Sequence, residues 1–145
     1  MRISAKAEYA CAAMLELAAS FGDPHPVRIK AIAEAQGISA RFLVQILLQL
    51  KTAGLVASVR GAAGGYQLAR APEAITLGQI IRAIDDPRVA PRSALSSSAG
   101  RTAAVEVLLE VWEEIQAKEQ KMLEQLTLAE LLRRTQSNNA LVFQI

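Results

Sequence analysis

Apolar and polar positions alternate at helical spacing along most of this chain. Behind Ser4, the residues Tyr9, Ala10, Ala13, Met14, Leu17 and Ala18 recur every three or four positions, which predicts a first helix stopped near Gly22. Asp23-Pro24-His25-Pro26 reads as a loop. Val27-Arg28-Ile29 reads as a short strand leading into a small helix over about 29–36, with Ile32 and Ala33 inward and Gly37 as its stop. Ser39 then caps a third helix whose apolar stripe is Leu43, Ile46, Leu47 and Leu50, while Arg41, Gln45, Gln49 and Lys51 point away from it.

At Gly54 the period changes. Residues 55–59 and 66–69 are two short apolar runs, joined by Arg60-Gly61-Ala62-Ala63-Gly64-Gly65. Glycines in that position permit positive φ and close backbone approach. Helix, tight glycine turn, helix and then a hairpin with a basic tip is the layout of a helix-turn-helix with a wing. Its second helix is shaped to enter the major groove of double-stranded DNA.

Beyond Pro72 the chain turns helical again. Thr76-Leu77-Gly78-Gln79 is a capping box that opens a helix burying Leu77, Ile80, Ile81 and Ile84. Residues 85–101 read as a loop rich in Pro, Ser and Ala. The longest helix follows over about 102–126, with Val105, Leu108, Trp112, Ile115, Glu119, Met122 and Leu126 in a 3-4 spacing interrupted only by Glu119. Val111 and Leu109 widen that apolar surface. Such a helix is about 35 Å long, more than one winged helix covers, so the stripe reads as a dimer seam rather than one protomer's core. A second capping-box pattern at Thr127-Leu128-Ala129-Glu130 predicts a short last helix ending by 134, with 135–145 as a tail.

Composition fits a mostly α domain with a small β-hairpin wing. Of 145 residues, 52% are hydrophobic, 21% charged and 4% aromatic. The net charge of +2 is divided unevenly. Residues 1–71 hold eight Lys/Arg against four Asp/Glu, a balance of +4, and residues 72–145 hold eight against ten, a balance of −2. A basic first half joined to an acidic second half suits a nucleic-acid module carried on a helical assembly module. No apolar run reaches the length of a membrane span, and charges interrupt the start MRISAKAEYA, so a cytoplasmic protein is expected.

The single cysteine, Cys11, excludes an intramolecular disulfide and a cysteine-rich metal frame. Among Ala and Met on the first helix, with Glu8 and Tyr9 nearby, it reads as an inert small hydrophobe rather than a redox sensor. His25, between two prolines, reads as a solvated loop residue. With one His, one Cys and no convergent acid–base pair, an enzyme is not expected.

In order and spacing, MRISAKAEYA, IAEAQGIS, FLVQILLQLKTAGLVASVRG, GGYQLAR and the late TLAEL make the chain resemble the Rrf-two family of bacterial winged-helix transcription regulators, from Met1 to about Leu132. The resemblance implies a winged helix-turn-helix over 1–84, a homodimer joined through the long helix, and a pseudo-palindromic operator. It implies reading-helix and wing contacts at Ser39, Ala40, Arg41, Gln45, Arg60, Gly61, Gly64, Gly65 and Tyr66, with Arg2 and Lys6 near phosphates. The basic residues Arg28 and Lys51 of the same half join the candidate DNA contacts. The candidate dimer contacts are Val105, Leu108, Trp112, Ile115, Met122 and Leu126. For Tyr66, packing under the wing is the preferred role.

Two departures stand out. Many relatives carry three cysteines in the loop before the long helix and ligate an iron–sulfur cluster there. Here that loop reads Ala90-Pro91-Arg92-Ser93-Ala94-Leu95-Ser96-Ser97-Ser98, and hydroxyls do not replace thiolates, so no cofactor is expected. Many relatives also place a glutamate after the aromatic–leucine pair of the reading helix, where this chain has Val44. The expected function is a DNA-binding transcription regulator. Repression is preferred because blocking a promoter needs no further partner surface. The alternative is a winged-helix interaction module that regulates by binding a metabolic enzyme. The signal it answers, small molecule or protein, is not legible in these residues.

Overall fold

The computed structural model describes residues 2–85, 93–97 and 101–143. Helix α1 spans Ala5–Ala19, with the Ser4 hydroxyl accepting the Ala7 N–H at 3.0 Å. Its buried face is Ala7, Ala10, Ala13, Met14, Leu17 and Ala18, so small side chains let neighbouring helices approach closely. Helix α2, Ile29–Gln36, ends at Gly37 in the left-handed conformation (φ 64°), and α3 runs over Ala40–Thr52. The two axes bend by 113°, within the range of a helix-turn-helix.

Strands β1, Val56–Val59, and β2, Gly65–Leu68, pair antiparallel with Val56 opposite Leu68 and Val59 opposite Gly65. Each begins within a residue of its expected start. Val27 adds a bridge to Tyr66, as the sequence predicts for a short extended stretch there. A 3-10 turn at Pro72–Ala74 leads to α4, Leu77–Ile84, whose capping box is complete: Gln79 N–H donates to the Thr76 hydroxyl and Thr76 N–H to Gln79 Oε1. A second 3-10 turn covers Ala94–Ser97, and α5 spans Ala103–Gln125.

One core joins the winged module to the end of the chain. Met14, Leu17, Ile32, Leu43, Ile46, Leu47, Leu50, Ile75, Ile80 and Leu128 are all fully buried in it. Leu128 reaches it because the chain returns beside α4. Leu77 N–H donates to Leu126 C=O, and Leu128 N–H to Ile75 C=O, both at 2.9 Å. The end of α5 is docked by Glu124, which pairs with Arg82 and accepts from Gln120 Nε2 at 2.9 Å. A Cβ on Gly78 would lie 2.3 Å from Glu124 Oε1, so the missing side chain makes room for that carboxylate over the first turn of α4.

The last helix corrects the expected boundary. Helix α6 runs over Leu128–Phe143 and does not stop near 134. Gly and Pro are absent from this stretch. Glu130 pairs with Arg133 and Arg134 one turn on, and the Thr135 hydroxyl donates to Leu131 C=O, so local partners carry the helix through its polar middle. Of the expected second capping box, one half forms: Glu130 N–H donates to the Thr127 hydroxyl at 3.1 Å, while the Glu130 carboxylate engages the two arginines. Within the expected 85–101 loop, residues 86–92 and 98–100 lie outside the described residues, as do residues 144–145 of the expected tail. Among the described residues no single helix is long and apolar enough to cross a membrane.

Candidate nucleic-acid interface

The candidate interface begins at the start of α3. Ser39 holds an extended backbone there, and its hydroxyl accepts the Phe42 N–H at 3.2 Å, which fixes the first turn. Leu43, Ile46, Leu47 and Leu50 face the core, so Ala40, Arg41, Val44, Gln45 and Leu48 are left exposed. Arg41, Val44, Gln45 and Leu48 are spaced i, i+3, i+4 and i+7 and share one outer face.

The wing is held by backbone geometry. Gly61 adopts a φ of +107°, and Gly64 N–H closes the turn onto Gly61 C=O at 3.0 Å. A Cβ on Gly64 would sit 2.2 Å from Val59 O, and one on Gly65 would sit 2.3 Å from Val27 O. Both positions therefore require glycine because backbone crosses backbone. Tyr66 exchanges two hydrogen bonds with Val27 (2.8 and 2.9 Å), and its ring packs partly buried against the core, in line with the packing role preferred from the sequence.

Two candidate contacts also brace the wing. Arg28 Nη2 donates to Ala62 C=O at 3.0 Å, tying the wing tip to the start of α2. Lys51 Nζ donates to Ser58 Oγ at 2.7 Å, tying the end of α3 to β1. Both side chains stay exposed, and each keeps further N–H donors.

Most cations of the basic first half stay unpaired in the fold. Among the described residues, Arg2, Lys6, Arg28, Arg41, Lys51, Arg60 and Arg70 meet no carboxylate; beyond residue 71, Arg82, Arg133 and Arg134 are ion-paired, while Arg101, Lys118 and Lys121 are not. Among the described Lys and Arg residues of the first half, Lys30 alone approaches a carboxylate, Glu34, at 4.0 Å. Cations without acidic partners are the form that neutralises phosphate. Arg2, Arg41 and Arg60 are exposed, and Lys6 is half-buried.

The long helix stands apart. No residue of α5 is buried, and Val107, Leu108, Val111, Trp112, Ile115 and Met122 are exposed, Trp112 at 46% and Met122 at 61%. Leu108, Trp112, Ile115 and Met122 thus form an exposed apolar ridge at the 3-4 spacing read from the sequence. Val105 is half-buried. Leu126 lies beyond α5, in the bridge to α4, rather than on the ridge. Val107 was not singled out by the spacing, because it lies one position off the repeat.

Cys11 is half-buried on α1, and burial followed by the nearby charges of Glu8 and Asp85 pushes its thiol up to about 11. His25 pairs with Asp23 through Nδ1 at 3.0 Å in an exposed loop, and the His25 N–H together with that contact holds the Asp23 carboxyl below its usual range. Among the described residues no group of three His, Cys, Asp or Glu is placed to hold a metal ion.

Comparison with known proteins agrees with this layout. Residues 3–134 match the model of the Rrf2 family, described as an iron-dependent transcriptional regulator. IscR of Erwinia tasmaniensis, an HTH-type transcriptional regulator, is 37% identical over 134 residues, covering 91% of this chain and 79% of that protein. The solved structure of CymR, the global cysteine regulator of B. subtilis, superposes with a TM-score of 0.80 at 35% identity, covering 92% of this chain and 98% of that one. IscR of T. potens superposes with a TM-score of 0.75 at 38% identity, covering 93% and 88%.

The donor set does not fit an iron–sulfur cluster. Cluster irons are held by several thiolates, and this sequence has one thiol, kept protonated by its surroundings. The family's members regulate transcription and are not enzymes, and the relatives do not favour a module that works only by docking another protein. With its winged helix, its carboxylate-free cations and its match over nearly the whole length, this chain belongs to the Rrf2 family of DNA-binding transcriptional regulators.

Proposed function

We propose that the protein is a cytoplasmic repressor that binds a pseudo-palindromic operator as a homodimer. The observation that carries this reading is the exposed ridge of α5. Leu108, Trp112, Ile115 and Met122 line a helix with no buried residue. A contiguous apolar surface of this kind marks an interface. A second copy of the same helix supplies a matching ridge and relates two winged modules by a twofold axis. Half-sites about 34–36 Å apart follow from that symmetry.

On each half-site, Arg41 and Gln45, at the capped start of α3, contact base edges. Arg60 and the backbone of Gly61, Gly64 and Gly65 contact phosphate or the adjacent minor groove, and Arg2 and Lys6 add phosphate contacts. Arg28 and Lys51 serve mainly by fixing the wing against α2 and α3, with spare donors toward the duplex. An effector, small molecule or protein, acts by changing the spacing of the two modules.

Footprinting of the purified protein on genomic fragments, repeated across salt, tests the reading. A symmetric protected region is expected, with affinity falling steeply as salt rises. Arg60→Ala should lower the salt slope by roughly 1 for each phosphate it leaves without a cation. Protection of a single half-site by a protomer, or affinity indifferent to salt, would refute it.

A further inference from the structure

The outer face of α3 is not uniformly polar. Between and beside Arg41 and Gln45 lie Val44, 37% exposed, and Leu48, 53% exposed, one helical turn apart. Leu43, Ile46, Leu47 and Leu50 already fill the core side of this helix. Val44 and Leu48 therefore contribute nothing to the core that their neighbours do not. Val44 holds the middle of the four-residue face, with Arg41 one turn before it, Leu48 one turn after it and Gln45 beside it. A helix laid in the major groove with this face inward brings its central side chain against base edges across a range of docking angles.

What a branched aliphatic side chain reads there is limited by chemistry. It neither donates nor accepts a hydrogen bond, so it leaves the amino and carbonyl groups of the groove unsatisfied. The one apolar group on the major-groove edges is the C5-methyl of thymine. We propose that Val44, flanked by Leu48, is a thymine-methyl reader, so that this protein's half-site carries an invariant T·A pair opposite the first half of α3. The proposal rests on α3 being the groove-reading helix. Gln45 beside Val44 suits an adjacent adenine, which it contacts through N6 and N7. The centre of the half-site is thus read as A·T-rich by one apolar and one amide contact, with Arg41 left for a guanine or a phosphate toward one side.

The test uses the full-length protein and duplexes selected by it from a randomised library. Each thymine of the selected half-site is replaced in turn by uracil, which lacks only the methyl group. At one position uracil should weaken wild-type binding about fourfold, and roughly fifteenfold when both half-sites are changed, the effect of burying one methyl group per site. At the same position 5-methylcytosine should bind better than cytosine. Val44→Ala, which shortens the apolar contact without removing it, should narrow the difference between the thymine and uracil duplexes, and Val44→Asn should abolish it. Because Val44 is on the surface, its truncation leaves the fold intact, as a circular dichroism melt would record. A half-site without an invariant thymine, a wild-type protein blind to uracil at every position, or a thymine preference undiminished in both Val44→Ala and Val44→Asn would each overturn the proposal. The base for α3 itself is checked separately: if Arg41→Ala and Gln45→Ala leave the selected sequence unchanged, the groove-reading assignment of α3 fails as well.

Discussion

Ser4 and Asp85 meet across 81 residues of chain. The Ser4 hydroxyl donates to Asp85 Oδ1 at 2.5 Å while accepting the Ala7 N–H, and the Ser4 backbone N–H donates to Asp85 Oδ2 at 3.2 Å. The residue that caps α1 is thus held by the residue that ends α4. A carboxylate beside the first turn of α1 also complements the positive end of that helix.

Ser4→Ala and Asp85→Asn should therefore be coupled. Each alone should cost about 1 kcal/mol in denaturant unfolding, given the partial exposure of the pair. The double variant should cost less than the sum by roughly 0.5–1 kcal/mol. Simple additivity would show that the Ser4–Asp85 bond contributes nothing to α1.

The wing glycines differ in what they tolerate. At Gly65 an added Cβ would collide with the Val27 carbonyl, so Gly65→Ala should break the Val27–Tyr66 bridge. A stability loss on the order of 1–3 kcal/mol is expected, with DNA affinity down by about tenfold or more. Gly61 has open space and only its φ of +107° to protect, so Gly61→Ala should cost about 1 kcal/mol. Equal effects at the two positions, read by thermal melts and gel shifts, would contradict the backbone crossing at Gly65.

Trp112→Glu or Ile115→Glu should separate assembly from folding. Neither side chain belongs to the core, so the melting temperature of the winged module should change little. At a twofold seam the introduced charge appears twice, and removing the anchor costs roughly 2 kcal/mol or more per copy. Sedimentation should then record protomers at micromolar concentration, and operator binding should fall with them. A dimer that survives both substitutions would move the interface elsewhere.

Cys11 should be a slow thiol. With its pKa raised from 9.0 to about 11, roughly one molecule in a thousand carries a thiolate at pH 8, against about a tenth for an unburied thiol. Alkylation of the native protein should be slower than that of the unfolded chain by about two orders of magnitude at pH 8. The neutral thiol is favoured in the folded state, so this group's contribution to stability is complete below about pH 8.5 and is lost as pH rises toward 11. Alkylation at the free-thiol rate with retention of the fold would show that the thiol is open to solvent, and Cys11→Ala should leave DNA binding unchanged.

Much of this architecture was legible in the one-dimensional pattern because its causes are local. Ser4, Ser39 and Thr76 cap the helices they precede, Gly37 turns where a left-handed residue is needed, and the Leu43–Leu50 stripe defines the buried face of α3. Periodicity and capping act within one or two turns, so residue order carries them. The excess of cations in residues 1–71 was also visible in the sequence. Their freedom from carboxylates was not, since pairing depends on which side chains the fold brings together.

Other features belong to tertiary structure alone. Nothing in the Gly64-Gly65 pair names Val59 and Val27 as the carbonyls lying beneath it, and nothing in Gly78 names Glu124. The tail expected after 134 became part of α6, because ion pairs one turn apart and the absence of Gly or Pro outweigh weak intrinsic propensity. Val44 stood out in the sequence only as a departure from the glutamate of many relatives; that it and Leu48 share an exposed face beside a core already full without them came from the packed structure. Residue order decides which segments can coil or bend and where the apolar stripes run. Which carbonyl crosses a glycine, which cation stays unpaired and which aliphatic side chain is left facing solvent depend on contacts between distant segments, and only the packed chain sets those.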